Sequence, residues 1–188
     1  MKLKILISLL LLFSVNLFAS IPDPPGESLK DLSLIREQVS ITFHSQVGVS
    51  ELTGRNDGVM VETYLASADL RRGDPWCAAF VNWCFEKNGV AGPDRLAGYS
   101  PSWFPKDRHS NDPPLRADVF GIYYASKGRI AHVGFIDRWC NSYALTVEGN
   151  SNDSGSRDGT AVVKKRRLTR QLYATSNWIG YRYLKRAG

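Results

Sequence analysis

One apolar run, GDPWCAAFVNWCF at residues 73–85, constrains the fold more than any other stretch. A helix over these residues would be apolar on nearly every side, and such a helix packs inside a domain. Asp74 is the expected N-cap and Pro75 the first helical residue, where the missing N–H of proline costs nothing. An Asn-Gly pair after Lys87 supplies a C-terminal stop. The sequence therefore predicts a buried helix with Cys77 in its first turn.

The position of Cys77 admits two interpretations, core filling or a nucleophile. A free cysteine titrates near ~8.5, and a helix N-terminus or a neighbouring imidazolium lowers that pKa to about 3.5–7.5. The partial positive charge of the first-turn N–H groups would stabilise a thiolate at Cys77. Most helical cysteines are small buried hydrophobes, so Cys77 alone does not predict catalysis. A catalytic interpretation requires a base elsewhere in the chain.

Only one of the three histidines lies in a strand pattern. His44 falls on an N-terminal amphipathic helix, and His109 falls in a long loop rich in proline and polar residues. His132 lies in IAHVGF, among small and apolar residues of a predicted strand. His132 is therefore the candidate base, although a lone strand histidine is more often a satisfied core or surface residue.

Helical patterns precede strand patterns along the chain. Apolar spacing predicts a helix over 28–46 and a shorter one around Val61, Tyr64 and Leu65. After the Cys77 helix and a loop come five strand-like segments, at residues 117–126, 129–137, 142–150, 160–168 and 177–184. This order predicts an α+β fold in which N-terminal helices pack on an antiparallel β-sheet.

A hairpin made of the second and third predicted strands would bring an acid to His132. With its turn centred on Cys140, the hairpin pairs His132 directly with Glu148, and Asn150 shares their face. A carboxylate beside an imidazole fixes the ring's tautomer, as the third member of a catalytic triad does. A shift of one residue would turn Glu148 to the other face. Taken singly, Glu148 is equally a solvated strand-end acid and Asn150 a turn residue.

Three segments in order, PWCAAFVNWC, AHVGF and EGN, resemble the CHAP amidase/peptidase family, relatives of the NlpC/P60 cysteine peptidases. The resemblance covers roughly residues 30–185, nearly all of the chain that follows the N-terminal apolar segment. It implies a papain-like NlpC/P60 fold, with the nucleophile at a helix start packed on an antiparallel sheet that carries the histidine. It also implies cleavage of amide bonds in peptidoglycan.

The resemblance implies a role for each matching residue. Cys77 would be the nucleophile, His132 the base, Glu148 the orienting carboxylate and Asn150 a further polar member of the set. Both Tyr64 and Asn56 stay open as the second donor of an oxyanion hole. Three aromatic residues are candidates for lining the substrate groove, with packing of the loop as the equally good alternative: Trp76, Tyr99 and Trp103.

The N-terminus predicts export. Lys2 and Lys4 precede an apolar run to Phe18, and small residues follow, which is typical of a secretory signal peptide over residues 1–20. A proline-rich linker over 21–27 and one CHAP-like catalytic domain over 28–188 then follow. We therefore expect a periplasmic or secreted protein with no stable membrane insertion after signal removal.

Three cysteines are an odd number for an exported chain, so at least one is unpaired within it. Helix and strand lengths place Cys84 and Cys140 about 16 Å apart if Cys77 meets His132. Bridged Cα atoms lie within about 7 Å, so we expect no disulfide between these two residues.

The net charge of the chain is +6, from 24 lysines and arginines against 18 acids. Such a balance fits an anionic polymer such as the cell wall, and equally a solvated surface without a partner. The basic run KKRRLTR at 164–170 is explained more simply by an edge strand than by a nucleic-acid site. No pattern of metal ligands or phosphate-binding glycines is present, so we expect no metal, cofactor or nucleic acid. We also expect a monomer, and the resemblance implies peptidoglycan as its partner.

The favoured hypothesis is an exported cysteine amidase or endopeptidase acting on cell-wall peptides. The alternative is a catalytically inactive cell-wall-binding module of the same fold, but a binding module has no need of Cys77, His132 and Glu148 together. A toxin that attacks the walls of rival cells would use the same machinery, and the sequence does not separate it from an enzyme of self-directed remodelling.

Overall fold

The structure is a computed structural model, and it describes residues 29–152 and 159–179 of the 188-residue chain. The predicted signal peptide and linker lie outside the described residues. Three helices come first: α1 (Leu29–Ser45), α2 (Val59–Ser67) and α3 (Cys77–Lys87). Five strands follow: β1 (Val119–Tyr124), β2 (Arg129–Trp139), β3 (Tyr143–Ser151), β4 (Ala161–Leu168) and β5 (Ala174–Ser176). The predicted α+β class is confirmed.

The strands form one antiparallel sheet in the order β4-β3-β2-β1-β5. The fifth strand was expected at 177–184, but β5 ends at Ser176, and residues 180–184 lie outside the described range. Trp178, expected within that strand, is instead buried in the core, where its indole N–H donates to the Trp103 carbonyl and the Ser176 hydroxyl at 3.1 Å each. Within the described residues, no helix is long and apolar enough to cross a membrane.

The helices cover one face of the sheet, with α3 at the centre of the packing. Phe135 of β2 is the aromatic residue on which this packing converges. Its ring centroid lies 6.1 Å from that of Phe80, 5.1 Å from that of Phe85 and 4.9 Å from that of Phe43. All four side chains are fully buried, so α1 and α3 are anchored to the same point of the sheet.

Helix α3 begins later than the sequence predicted. Cys77 is its first residue and Trp76 its N-cap, without a side-chain cap. Asp74 does not cap this helix, because its Oδ2 accepts the Arg71 N–H at 2.8 Å within the preceding turn. The first helical bond runs from the Phe80 N–H to the Trp76 carbonyl. The N–H groups of residues 77–79 therefore have no partners within the helix.

The β2–β3 hairpin is paired two residues away from the predicted register. Phe135 pairs with Val147, where the prediction required Leu145. The reason is a tighter turn: backbone hydrogen bonds between Cys140 and Tyr143 leave only two residues in the loop, and a bulge follows at Asp137. Beyond the bulge the offset is an even number of residues, so His132 and Glu148 stay on the face that the prediction gave them.

A glycine of β3 allows α3 to approach the sheet closely. A Cβ added at Gly149 would lie 2.6 Å from Phe80 Cβ and 2.8 Å from Trp76 Cζ3. Real Cβ atoms do not approach that closely, so any larger residue would push the helix start away from β3. Gly149 therefore fixes the distance between the Cys77 end of α3 and the sheet.

We expect Gly149→Ala to lower the free energy of unfolding by about 1–3 kcal/mol, as overpacking of a filled core does. Urea denaturation followed by tryptophan fluorescence measures the loss. Ser126→Ala, an exposed turn substitution, serves as the control and should change the midpoint little. An unchanged midpoint for Gly149→Ala would contradict the close contact.

Candidate active site

Three elements bring the predicted catalytic residues together. Cys77 begins α3, His132 lies on β2, and Glu148 lies on β3. A bulge in β2 adjoins the histidine: Ile122 pairs with His132 but Tyr123 pairs with Ile130, which leaves Ala131 as an extra residue. Bulges re-aim neighbouring side chains and are frequent next to active sites.

The imidazole of His132 connects the thiol to the acid. Its Nε2 lies 2.9 Å from Glu148 Oε2, which leaves Nδ1 as the ring nitrogen that serves the Cys77 thiol. The Sγ of Cys77 also lies 3.8 Å from the hydroxyl oxygen of Ser100. Cys77 and His132 keep 5% and 7% of their surface exposed, while Glu148 has none. Cys77 and His132 thus keep a little accessible surface, whereas Glu148 is fully buried.

The environment of Cys77 favours its thiolate. Burial acts to raise the pKa of the thiol, but the hydrogen bond and charge of His132 oppose it, helped by the Val133 backbone and the Ser100 hydroxyl. The balance lowers the pKa of Cys77 below its ordinary value of 9.0. Burial likewise acts to lower the pKa of His132, but Cys77 and Glu148 outweigh it and raise that pKa to about 9. Both shifts favour a thiolate–imidazolium pair at neutral pH.

Glu148 is held as a buried, ionised carboxylate. Besides His132, it accepts hydrogen bonds from Thr146 Oγ1 at 2.6 Å and Ser151 Oγ at 3.1 Å. Arg167 donates from Nε to Oε1 at 2.5 Å and from Nη2 to Oε2 at 2.6 Å. Burial acts to raise the pKa of Glu148, but the bonds from Arg167 and His132 hold that pKa well below its ordinary value.

Sequence reasoning missed Arg167. It belongs to the basic run of β4, which was interpreted only as an exposed edge strand. β4 does lie at the edge of the described sheet, but its register pairs Ala144 with Arg167 and Glu148 with Val163. Directly paired residues project from one face, so Arg167 shares the face of Glu148. Alternation along β4 would have revealed this face, but not that the guanidinium reaches along the strands to Glu148.

Asn150 does not join the His132 ring. Its Oδ1 accepts the Trp76 N–H at 3.1 Å, and its Nδ2 donates to the Gly159 carbonyl at 2.6 Å and to Asn56 Oδ1 at 3.1 Å. Asn150 adopts a positive φ of 52°, which asparagine tolerates better than most residues. The side chain therefore ties the residue before Cys77 to β3, and its contacts are those of a positioning group.

Two of the three aromatic residues predicted to line a substrate groove lie in the core. Trp76 is fully buried against Tyr64, and Trp103 is fully buried between Phe85 and Trp178. For both residues the packing alternative is the correct one, because each indole ring meets other aromatic rings in the interior and its N–H donates to an internal acceptor. Tyr99 is 47% exposed and does line a cavity beside Cys77.

Cys77 lies between two cavities that together form an open groove. The first, of about 260 Å³, contains the polar side chains of Glu51, Asn56 and Asn150. The second, of about 170 Å³, contains Tyr99, Ser100 and Arg129. Four residues line both: Pro75, Cys77, Lys127 and Ala131. An extended chain laid along the groove would pass directly over the sulfur.

The two candidates for a second oxyanion donor differ in position. Asn56 lines the first cavity together with Cys77. Tyr64 is fully buried, and its hydroxyl donates to Gln46 Oε1 at 2.7 Å. The geometry therefore favours Asn56 over Tyr64 as a group that can face a substrate.

All three cysteines are free, Cys77 and Cys84 buried and Cys140 partly exposed. Burial raises the pKa of Cys84 well above its ordinary value, so its thiol is unreactive. In the described part of the chain, no group of three or more His, Cys, Asp or Glu residues could hold a metal ion. No protein-family model, curated protein or solved structure matches the chain.

We expect a thiol-directed electrophile at pH 7 to modify Cys77 faster than Cys84 or Cys140, because His132 lowers the pKa of Cys77 while burial raises that of Cys84. Glu148→Gln removes a charge that raises the pKa of His132, so the Cys77 thiolate becomes less stable. Labelling of Cys77 at pH 7 should then slow by about tenfold for each unit that its pKa rises. Mass spectrometry of tryptic peptides measures the rates, and equal, slow labelling of all three thiols would contradict the site.

We expect Arg167→Met to lower the free energy of unfolding by about 3 kcal/mol, because it leaves the Glu148 charge buried with one charged partner fewer. Urea denaturation at pH 7 measures the loss. Arg166→Met, on the exposed face of the same strand, is the matched control. Because the folded pKa of Glu148 is depressed, its contribution is complete above its ordinary pKa of 4.5 and fades as the pH falls. A loss equal to that of the control would contradict the role of Arg167.

Proposed function

We propose that the protein is an exported cysteine amidase or endopeptidase that hydrolyses amide bonds in peptidoglycan and has a papain-like NlpC/P60 fold. The observation that carries the proposal is the chain of contacts from Cys77 through His132 to the buried Glu148. The choice of peptidoglycan rests on the resemblance of PWCAAFVNWC, AHVGF and EGN to the CHAP family, and export rests on the signal-like residues 1–20.

In the first half of the reaction, the Cys77 thiolate forms a bond to the carbonyl carbon of the scissile amide. The carbonyl oxygen takes up the electron pair, and the N–H groups at the start of α3 stabilise the resulting oxyanion. The intermediate then collapses with cleavage of the C–N bond. The His132 imidazolium donates its proton to the leaving amine, which departs neutral, and the acyl group remains on sulfur as a thioester.

In the second half, water hydrolyses the thioester. Neutral His132 accepts a proton from the water as its oxygen attacks the thioester carbon. The C–S bond then breaks, which releases the carboxylic acid and restores the thiolate–imidazolium pair. Glu148 stays ionised throughout and stabilises the imidazolium each time it forms, because its charge is fixed by Arg167.

The groove supports a polymeric substrate. Cavities on both sides of Cys77 leave room for chain segments before and after the scissile bond. Polar groups line one cavity, and an exposed aromatic ring lines the other, as ligand sites commonly combine them. A module that only binds the wall would gain nothing from a lowered thiol pKa inside such a groove.

We expect the wild-type protein to release defined fragments from purified peptidoglycan and Cys77→Ala to release none, a loss of at least about a thousandfold, because the nucleophile is gone. Chromatography with mass spectrometry of the soluble products measures the release. Cys140→Ser, in the partly exposed hairpin turn, is the matched control and should give wild-type products. Identical products from wild type and Cys77→Ala would remove Cys77 from the mechanism. Wall binding without any release would support the inactive module.

A further inference from the structure

Lys127 stands at the point where the two cavities of the groove meet. It ends the short turn Ala125–Lys127 between β1 and β2, its side chain is exposed, and it lines both cavities together with Cys77. A substrate that occupies either cavity therefore lies close to Lys127.

The second cavity holds an excess of positive charge. It is lined by Lys127 and Arg129 and by a single acid, Asp74. One oxygen of Asp74 accepts the Arg71 N–H at 2.8 Å. Over residues 29–152 and 159–179, neither cation forms an ion pair with a carboxylate within 4.0 Å. The two charges thus remain available to a ligand.

Arg129 is held in place without being neutralised. Its Nη1 donates to the Ile130 carbonyl at 3.0 Å, and its guanidinium carbon lies 5.2 Å from the ring centroid of Tyr99. Both contacts orient the guanidinium, and neither supplies a negative charge. A guanidinium so oriented is prepared for a carboxylate, which it binds through paired hydrogen bonds.

The first cavity does not offer the same chemistry. Its acid, Glu51, already accepts the Trp76 indole N–H at 2.8 Å and the Asn56 backbone N–H at 2.9 Å. The amides of Asn56 and Asn150 also line it. Lys127 lines both cavities, whereas Arg129 lines only the second, so the Tyr99 side of Cys77 carries the larger positive charge.

We propose, resting on the proposed function, that the groove selects peptides with a free carboxylate beside the scissile amide bond, bound by Lys127 and Arg129 on the Tyr99 side. The substrate class is a wall peptide whose side or terminal carboxylates are free, as opposed to the same peptide with those groups amidated. A carboxamide carries no charge and accepts more weakly, so it leaves both cations without a counter-charge.

The test compares two pools of soluble wall peptides from one preparation. One pool is untreated, and in the other the carboxylates are converted to methylamides with methylamine and a carbodiimide. We expect the wild-type kcat/KM to be about tenfold higher on the untreated pool, the factor that about 1.4 kcal/mol gives. Lys127→Gln and Arg129→Gln should reduce this preference mainly through KM, while Arg129→Lys retains part of it. Lys164→Gln, an equal charge change on exposed β4, should leave it intact.

Two outcomes overturn the inference while the proposed function stands: equal cleavage of both pools by the wild type, or an undiminished preference in Lys127→Gln and Arg129→Gln. Cleavage of neither pool contradicts the proposed function. In that case, calorimetry still tests the inference, because it compares how tightly Cys77→Ala binds each pool. Tighter binding of the untreated pool that Lys127→Gln abolishes supports it, and equal binding refutes it.

Discussion

The site depends on the burial of one negative charge. Glu148 is inaccessible to water, and a lone buried carboxylate would take up a proton. Arg167 keeps the Glu148 carboxylate ionised by donating two hydrogen bonds to it, and the His132 ring contacts the same carboxylate. Because the acid stays charged, the ring beside it is protonated more readily, and the sulfur beyond the ring loses its proton more readily. The ionised state of the acid beside His132 thus depends on an arginine two strands away from that ring.

A second network places the nucleophile helix against the sheet. Gly149 lets α3 come close, and Asn150 then accepts the N–H of Trp76, the residue before Cys77. Glu51 completes the arrangement by binding the Trp76 indole and the Asn56 backbone. Glu51, Asn56 and Asn150 also line the first cavity, so the hydrogen bonds that orient the start of α3 involve the same residues that a ligand there would meet.

Local patterns predicted the elements and faces better than the details of pairing. The prediction that His132 and Glu148 share a face was correct although the hairpin register was wrong by two residues, because alternation depends only on parity. Arg167 was missed because its partner Glu148 is not the residue opposite it but lies further along the neighbouring strand β3, and no local pattern encodes the reach of a long side chain. For Trp76 and Trp103 the sequence left groove lining and packing open, because an aromatic residue looks the same in a sequence whether it faces water or the core.

The outer strand β4 has a consequence for how copies of the chain meet. Its first residues are covered by backbone hydrogen bonds from residues 48–51, while Lys164 and Arg166 project from the uncovered remainder. An uncovered edge strand can pair with the edge strand of another copy of the chain. Repulsion between like charges on the two edges makes such pairing unfavourable. The basic residues of β4 thus differ in role, since partly buried Arg167 binds Glu148 and exposed Lys164 and Arg166 place like charges on the edge strand.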